Sequence, residues 1–372
     1  MKTKIISILI ILIFSSNLYA QVKEGPGLSV PNRLKSIVPY GTIEYAFGGN
    51  KEGWAVVDII PRIGIKGQWA IDEQNDYYMF TIAELGLQLT KKNDFIDLSA
   101  DPGNGIGKVN SALFARQGLI GIGSPYGRFS IGKQWGVHYT LAGAIDNMYI
   151  FGADAIGVYN AGTDGGVSGT GRADQAAKYE LFKGNFFFGF QGQFRNITDN
   201  DQYFADAFAA ASYYNIPGII KFGLSYSKVF DGVEEPEPNQ PMIDDEMLAL
   251  LLDHQSKNFH FGVMAMIFNN HEKTNEGEFY KGWGVEYNLK FNFGKKKRWS
   301  VVNNVSYMTP ESKLHSKFVM NRYALELARR FSKNTVIIAG LRYDNGIKTD
   351  GGRIDKLTYA LGFYYNFNYP VP

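Results

Sequence analysis

The sequence predicts an all-β chain, a transmembrane antiparallel β-barrel of sixteen strands, and three observations carry the prediction. Polar and apolar residues alternate with period two over segments of about ten to twelve residues, the length a tilted strand needs to cross a bilayer; sandwich strands usually run to about five or six. The apolar phase is rich in rings, with 27 Phe, 23 Tyr and 5 Trp among 372 residues. Such an excess suits lipid-facing strands with aromatic girdles at both interfaces. Beyond residue 20 no apolar run reaches the roughly 20 residues of a membrane-crossing helix, so only closure of strands into a barrel would satisfy every backbone group in lipid.

Composition removes other classes. A net charge of +2 and a single short basic block, Lys295 to Arg298, leave no electrostatic footprint for nucleic acid. The absence of cysteine rules out a disulfide framework, a thiolate zinc site and a thiol nucleophile. Residues 1–20 read as a signal peptide: Lys2 and Lys4 form a basic start, Ile5 to Phe14 an apolar stretch too short to span a bilayer, and Ala20 the small residue before a mature start at Gln21. Residues 21–37 form a lead-in, and 38–369 a single barrel domain.

The strands follow in order. The pattern is clearest from Gly282 to Phe293, where Trp283, Val285, Tyr287, Leu289, Phe291 and Phe293 alternate with Gly, Glu, Asn and Lys. It returns from Leu357 to Phe367, where aliphatic and aromatic residues occupy every odd position. Candidates lie near 38–47, 54–70, 77–90, 111–123, 127–136, 174–182, 186–195, 204–214, 218–230, 258–268, 281–293, 298–308, 318–330, 334–343 and 355–367. That is an odd number, whereas single-chain bacterial barrels have even counts with short turns on one side and longer loops on the other. Alternation of short and long connections breaks between Phe230 and Asn258, and it is restored if Asp244–Asp253 (DDEMLALLLD) is a strand. Periodicity alone makes that segment a helix; parity makes it the sixteenth strand. Asp231–Ile243 is then an acidic, Pro-rich loop.

Sixteen strands leave a water-filled bore, so the inward phase should be polar. It contains Glu44, Arg62, Lys66, Lys178, Glu180 and Glu286, together with Lys221, Lys290, Arg322 and Glu326. Most of these are expected to be plain solvated wall residues.

Three segments carry a family resemblance. They are Arg62-Ile-Gly-Ile-Lys66-Gly67, Leu113-Phe-Ala-Arg116-Gln-Gly118-Leu and Tyr126-Gly-Arg-Phe-Ser-Ile-Gly132-Lys133-Gln134. In this order, with a long insertion after the third, they resemble the second, fourth and fifth strands of Gram-negative general diffusion porins. The likeness is best over 38–195 and architectural beyond. It implies a homotrimer in the outer membrane, with a long third loop, here 137–173, folded into the lumen. It further implies a constriction in which loop acids, Asp146, Asp154 and Asp164, face wall bases, Arg62, Lys66, Arg116 and Lys178. Opposed charges across a narrow aqueous gap order water and select solutes by charge. An external surface loop is the alternative. Lys133 shares the phase of Phe129, Ile131 and Trp135, which reads as outward; the resemblance implies a subunit-interface role, the alternative being a side chain that snorkels to the headgroups.

Other chemistry is thin. The five histidines lack the spacing of a metal site, Gly165 to Gly171 has no following Lys-Ser/Thr for a phosphate loop, and there is no Gly-x-Ser-x-Gly elbow. The chain ends on Pro370-Val-Pro372, so the last strand should stop at Phe367 or Asn368. The expected function is a non-enzymatic porin without cofactors, passing small hydrophilic solutes and ions, with a slight anion preference because inward bases outnumber inward acids. The competing readings are a porin specific for phosphate or other anions or for sugars, or a closed-barrel adhesin, structural protein or membrane hydrolase.

Overall fold

Sixteen strands close on themselves in a computed structural model that describes residues 36–59, 61–90, 112–158, 168–195, 204–230, 233–234, 241–242, 245–274, 278–311 and 317–369. The leader, nearly all of the lead-in, Asp164 and Pro370 to Pro372 lie outside the described residues. The strands are β1 (Ser36–Asn50), β2 (Gly53–Asp58 and Arg62–Asp72), β3 (Tyr77–Leu87), β4 (Leu113–Ser124), β5 (Gly127–Trp135), β6 (Arg172–Lys183), β7 (Phe186–Gln193) and β8 (Ala207–Ile216). They continue as β9 (Ile220–Val229), β10 (Glu246–Gln255), β11 (Phe259–Lys273), β12 (Phe279–Phe293), β13 (Trp299–Pro310), β14 (Met320–Arg330), β15 (Thr335–Asp344) and β16 (Lys356–Asn368). One short helix, α1 (Val137–Ala142), follows β5. Every strand pairs antiparallel with its sequence neighbour, and β1 pairs with β16 from Tyr40↔Asn368 to Gly49↔Tyr359, which closes the barrel and leaves no free edge.

The predicted single strand over 54–70 is two stretches that share β1 as partner, with a break before Arg62. Pro61 lies in the break; it has no N–H to contribute to a ladder. Outward-facing positions are apolar, as the alternation requires: Phe47, Trp54, Ile122, Phe190, Leu224 and Leu361 are all well exposed on the isolated barrel. The parity argument for the segment before Gln255 holds, since Glu246–Gln255 is a strand paired with β9 and β11. Its apolar run is continuous because both faces are apolar. Leu248, Leu250 and Leu252 are 42–43% exposed and point outward, while Met247, Ala249 and Leu251 are at most 1% exposed and point inward.

That inward apolar face departs from the uniformly polar lumen predicted by alternation. Met247, Leu251, Met264, Met266 and Met308 join Leu141, Ile145 and Ile156 in one buried cluster. The wall residues come from β10 to β13, and the last three from α1 and the chain after it. One side of the barrel interior is therefore a packed core, and water-accessible space is displaced to the other side.

Two bulges reset the phase near the space left open. Between β3 and β4 the register runs Glu84↔Gln117 then Leu85↔Ala115, so Arg116 is the extra residue and both Arg116 and Gln117 turn inward. Between β5 and β6 it runs Gly132↔Ala176 then Gln134↔Ala173. Gly132 occupies φ +116°, and a Cβ there would lie 2.1 Å from the Gly118 carbonyl oxygen. Only glycine allows β4 and β5 to approach so closely at this bulge.

Candidate functional site

The residues between β5 and the Gly157 carbonyl cross the barrel and are held by side chains of β7, β9, β12 and β14. At the start, the Val137 N–H donates to Gln191 Oε1 of β7 at 2.8 Å. His138 is fully buried, with Nδ1 2.7 Å from Ser225 Oγ of β9 and Nε2 2.6 Å from the Ile156 carbonyl. Farther along, Glu326 of β14 accepts three consecutive backbone N–H groups, from Tyr149 and Ile150 at 2.7 Å and Phe151 at 3.0 Å. Glu286 of β12 accepts from Ala153 at 2.9 Å and Ala155 at 2.6 Å, and Asn304 Nδ2 donates to the same carboxylate. Each carboxylate is fully buried and its charge is met by convergent donors. An irregular segment has no ladder of its own, so its backbone donors need such partners once it is buried.

The space left open is a cavity of about 650 Å³ bounded by β1 to β6, α1 and the turn after it, β12 and β16. Its wall carries two clusters in which one acid serves two bases. Glu84 meets Arg116 Nε at 2.8 Å and Arg62 Nε at 4.0 Å, and Tyr40 Oη donates to it at 2.9 Å. Glu180 meets Lys178 Nζ at 3.2 Å and Arg128 at 3.3 Å. Lys66 and Lys290 add two further cations, Glu44 and Asp146 two further acids. The lining thus holds six bases against four acids.

On the segment opposite this wall, Asp146 accepts from Tyr139 Oη at 2.8 Å. Its carboxyl is held above the ordinary range by burial deep in the barrel, against the lowering effect of Tyr139 and Arg62. Burial also drives His138 down, to about 4, which keeps the ring neutral. Its two contacts fit that form: Nε2–H donates to the Ile156 carbonyl and Nδ1 accepts from Ser225.

Of the predicted constriction residues, Arg62, Lys66, Arg116, Lys178 and Asp146 line this one cavity. Asp154 lies elsewhere, 2.6 Å from Arg322, which also binds Asp344 at 2.8 Å, so both side chains hold the crossing segment to β14 and β15. Asp164 lies outside the described residues. Lys133 sits half-buried on β5, opposite the bulge in β6. Trp135, expected to point outward with it, instead lines the cavity and stacks on Tyr139 at 3.9 Å between ring centres, being the last residue of β5 where the chain leaves the ladder for α1.

Sequence reasoning missed Glu84 and Arg128. Arg128 was legible, being in phase with Ser130 and out of phase with Phe129 and Ile131. Glu84 was not, since its inward companions Phe80 and Ile82 are apolar and mask the alternation of β3.

No protein-family model matches the chain, and no curated protein matches it in sequence. Solved structures do match in shape. An anion-selective porin from Comamonas acidovorans aligns with TM-score 0.68 and 12% identity, covering 90% of this chain and 100% of that one. OmpF of Salmonella typhi, solved in complex with daunomycin, aligns with TM-score 0.68 and 14% identity over 90% and 97% of the two chains. OmpT, an outer-membrane protein of Vibrio cholerae in its trimer form, gives 0.66 and 11% over 90% and 100%. At these identities the likeness is one of architecture: this chain has the closed sixteen-stranded barrel fold found among outer-membrane porins.

Proposed function

We propose that the chain is an outer-membrane porin, a water-filled channel through which small hydrophilic solutes and ions diffuse passively. The observation that carries this reading is the solvent-open, charge-lined cavity inside a closed barrel whose outer face is apolar. An apolar exterior requires hydrocarbon around it, and a wall bearing six cations and four acids requires water within. The driving force is the solute gradient, and no reaction or cofactor enters. The segment after β5, with Asp146, narrows the channel opposite Arg62, Lys66, Arg116 and Lys178. The surplus of bases favours anions. The working unit is a homotrimer with Lys133 at the subunit interface, delivered to the outer membrane through the leader at residues 1–20.

The test is reconstitution of the folded barrel in planar bilayers. Stepwise, ohmic conductance increments are expected. A heat-modifiable, fully folded preparation that gives no increments would leave an adhesin or structural barrel as the reading. In a salt gradient the reversal potential should lie on the anion side of zero.

A further inference from the structure

The cations of the cavity sit on rings. Lys66 Nζ lies 4.6 Å from the centre of the Tyr40 ring, the Arg128 guanidinium 4.7 Å from Phe182, and Lys290 Nζ 5.7 Å from Tyr149. All six residues line the same space. A cation within about 6 Å of a ring face is attracted by the ring quadrupole; there it loses part of its water shell and keeps its charge. The nearby acids do not cancel that charge, because Glu84 is shared by Arg62 and Arg116, and Glu180 by Arg128 and Lys178. Glu44 and Asp146 complete the acids of the lining and still leave two cations in excess.

The same surface offers flat apolar panels. Tyr149 meets Tyr364 edge to face at 5.7 Å, with the rings inclined at 66°. Trp135 stacks on Tyr139, inclined at 14°. Both pairs are part of the lining, and each ring is only partly buried. Inorganic phosphate would use the charge and ignore the panels. A neutral sugar would use the panels and ignore the surplus charge. A planar ring bearing one carboxylate uses both, stacking or edging onto an aromatic panel while its carboxylate pairs with a ring-held cation.

We propose that this cavity is a binding site for small aromatic carboxylates, flat anions of the benzoate type, preferred over saturated carboxylates of equal charge and similar size. Tyr149 and Lys290 form one half of it, the panel coming from the crossing segment and the cation from β12. The inference deepens the channel reading and rests on it for the route of entry. Binding itself is measurable on the folded barrel whether or not it conducts.

The experiment uses the whole mature chain, in detergent for calorimetry and in planar bilayers for current block, with benzoate, cyclohexanecarboxylate, inorganic phosphate and benzyl alcohol as probes. Benzoate should bind saturably and block the current, with cyclohexanecarboxylate about fivefold weaker, as loss of ring stacking and of a cation-bordered face implies. Tyr149→Leu and Lys290→Met should each weaken benzoate binding by a similar factor, and Tyr149→Phe should restore it. Equal binding of benzoate and cyclohexanecarboxylate, preference for phosphate, or binding of benzyl alcohol as tight as benzoate would each overturn the proposal. Should the barrel conduct and benzoate not bind, the site fails and the channel stands. Should benzoate bind to a barrel that never conducts, the site stands and the channel fails.

Discussion

Replacing Glu326 by Gln should loosen the crossing segment without unfolding the barrel. Glu326 Oε1 accepts from Ile150 and Phe151, and Oε2 from Tyr149, in a site with no solvent exposure. A carboxamide keeps one acceptor oxygen and substitutes an NH2 for the other, so at least one backbone donor is left facing a donor. A buried hydrogen bond to a charged group is worth about 1.5–3 kcal/mol, and a stranded donor adds its own desolvation, so the local cost is about 2–4 kcal/mol. The remaining anchors, Glu286 on Ala153 and Ala155 and Arg322 on Asp154, are untouched and keep the rest of the segment in place. Hydrogen exchange resolved by mass spectrometry is the assay. Protection of the amides of 149–151 should fall roughly 30- to 1,000-fold, the range that 2–4 kcal/mol of opening free energy implies, while amides in the β1–β16 ladder should not change. Single-channel records should show added noise from the freed segment. Unaltered protection at 149–151 would mean that the carboxylate does not hold the segment, and the account of the anchors would be wrong.

Neutralising Arg62 and Arg116 together, as Gln, should move the reversal potential in a salt gradient toward cations, since it leaves Glu84 unopposed in the lining; an unchanged potential would remove both from the selecting region. His138 supplies a pH dependence. Its folded value, about 4, lies below the free value of 6.5, so the native segment disfavours the proton. The stabilisation is whole above pH 6.5 and declines as pH falls toward 4, by roughly 3 kcal/mol in total, and thermal melts or exchange at 137–142 recorded between these limits would read the loss. His138→Gln should flatten that slope. Leu250→Arg, on the outward face of β10, should destabilise the barrel by about 2–4 kcal/mol in lipid. Urea refolding into vesicles measures it, and a change under 0.5 kcal/mol would argue that Leu250 does not face hydrocarbon.

What the sequence by itself determined is whatever repeats along the chain with the strand period. One phase is apolar throughout, so β12 and β16 declare themselves in their odd-numbered rings, and closure without edges calls for an even count that recovers β10 from an apparent helix. The inward placement of Arg62, Lys66, Lys178 and Lys290 follows from the same alternation. Tertiary structure alone decided the rest. A segment crossing the lumen turns part of the inner wall into a core, and Met247 and Leu251 then look like lipid-facing residues because both neighbours exclude water. A bulge at Arg116 inserts a single residue that reverses the phase of β4, and Trp135, at the end of β5, turns into the cavity against Tyr139 of the helix that follows. Asp146 and Asp154, alike in sequence, part company because one reaches the cavity and the other meets Arg322 on the opposite strands. Alternation is a local rule set by the direction of successive side chains, whereas what lies across a 16-stranded bore is set by residues far away along the chain.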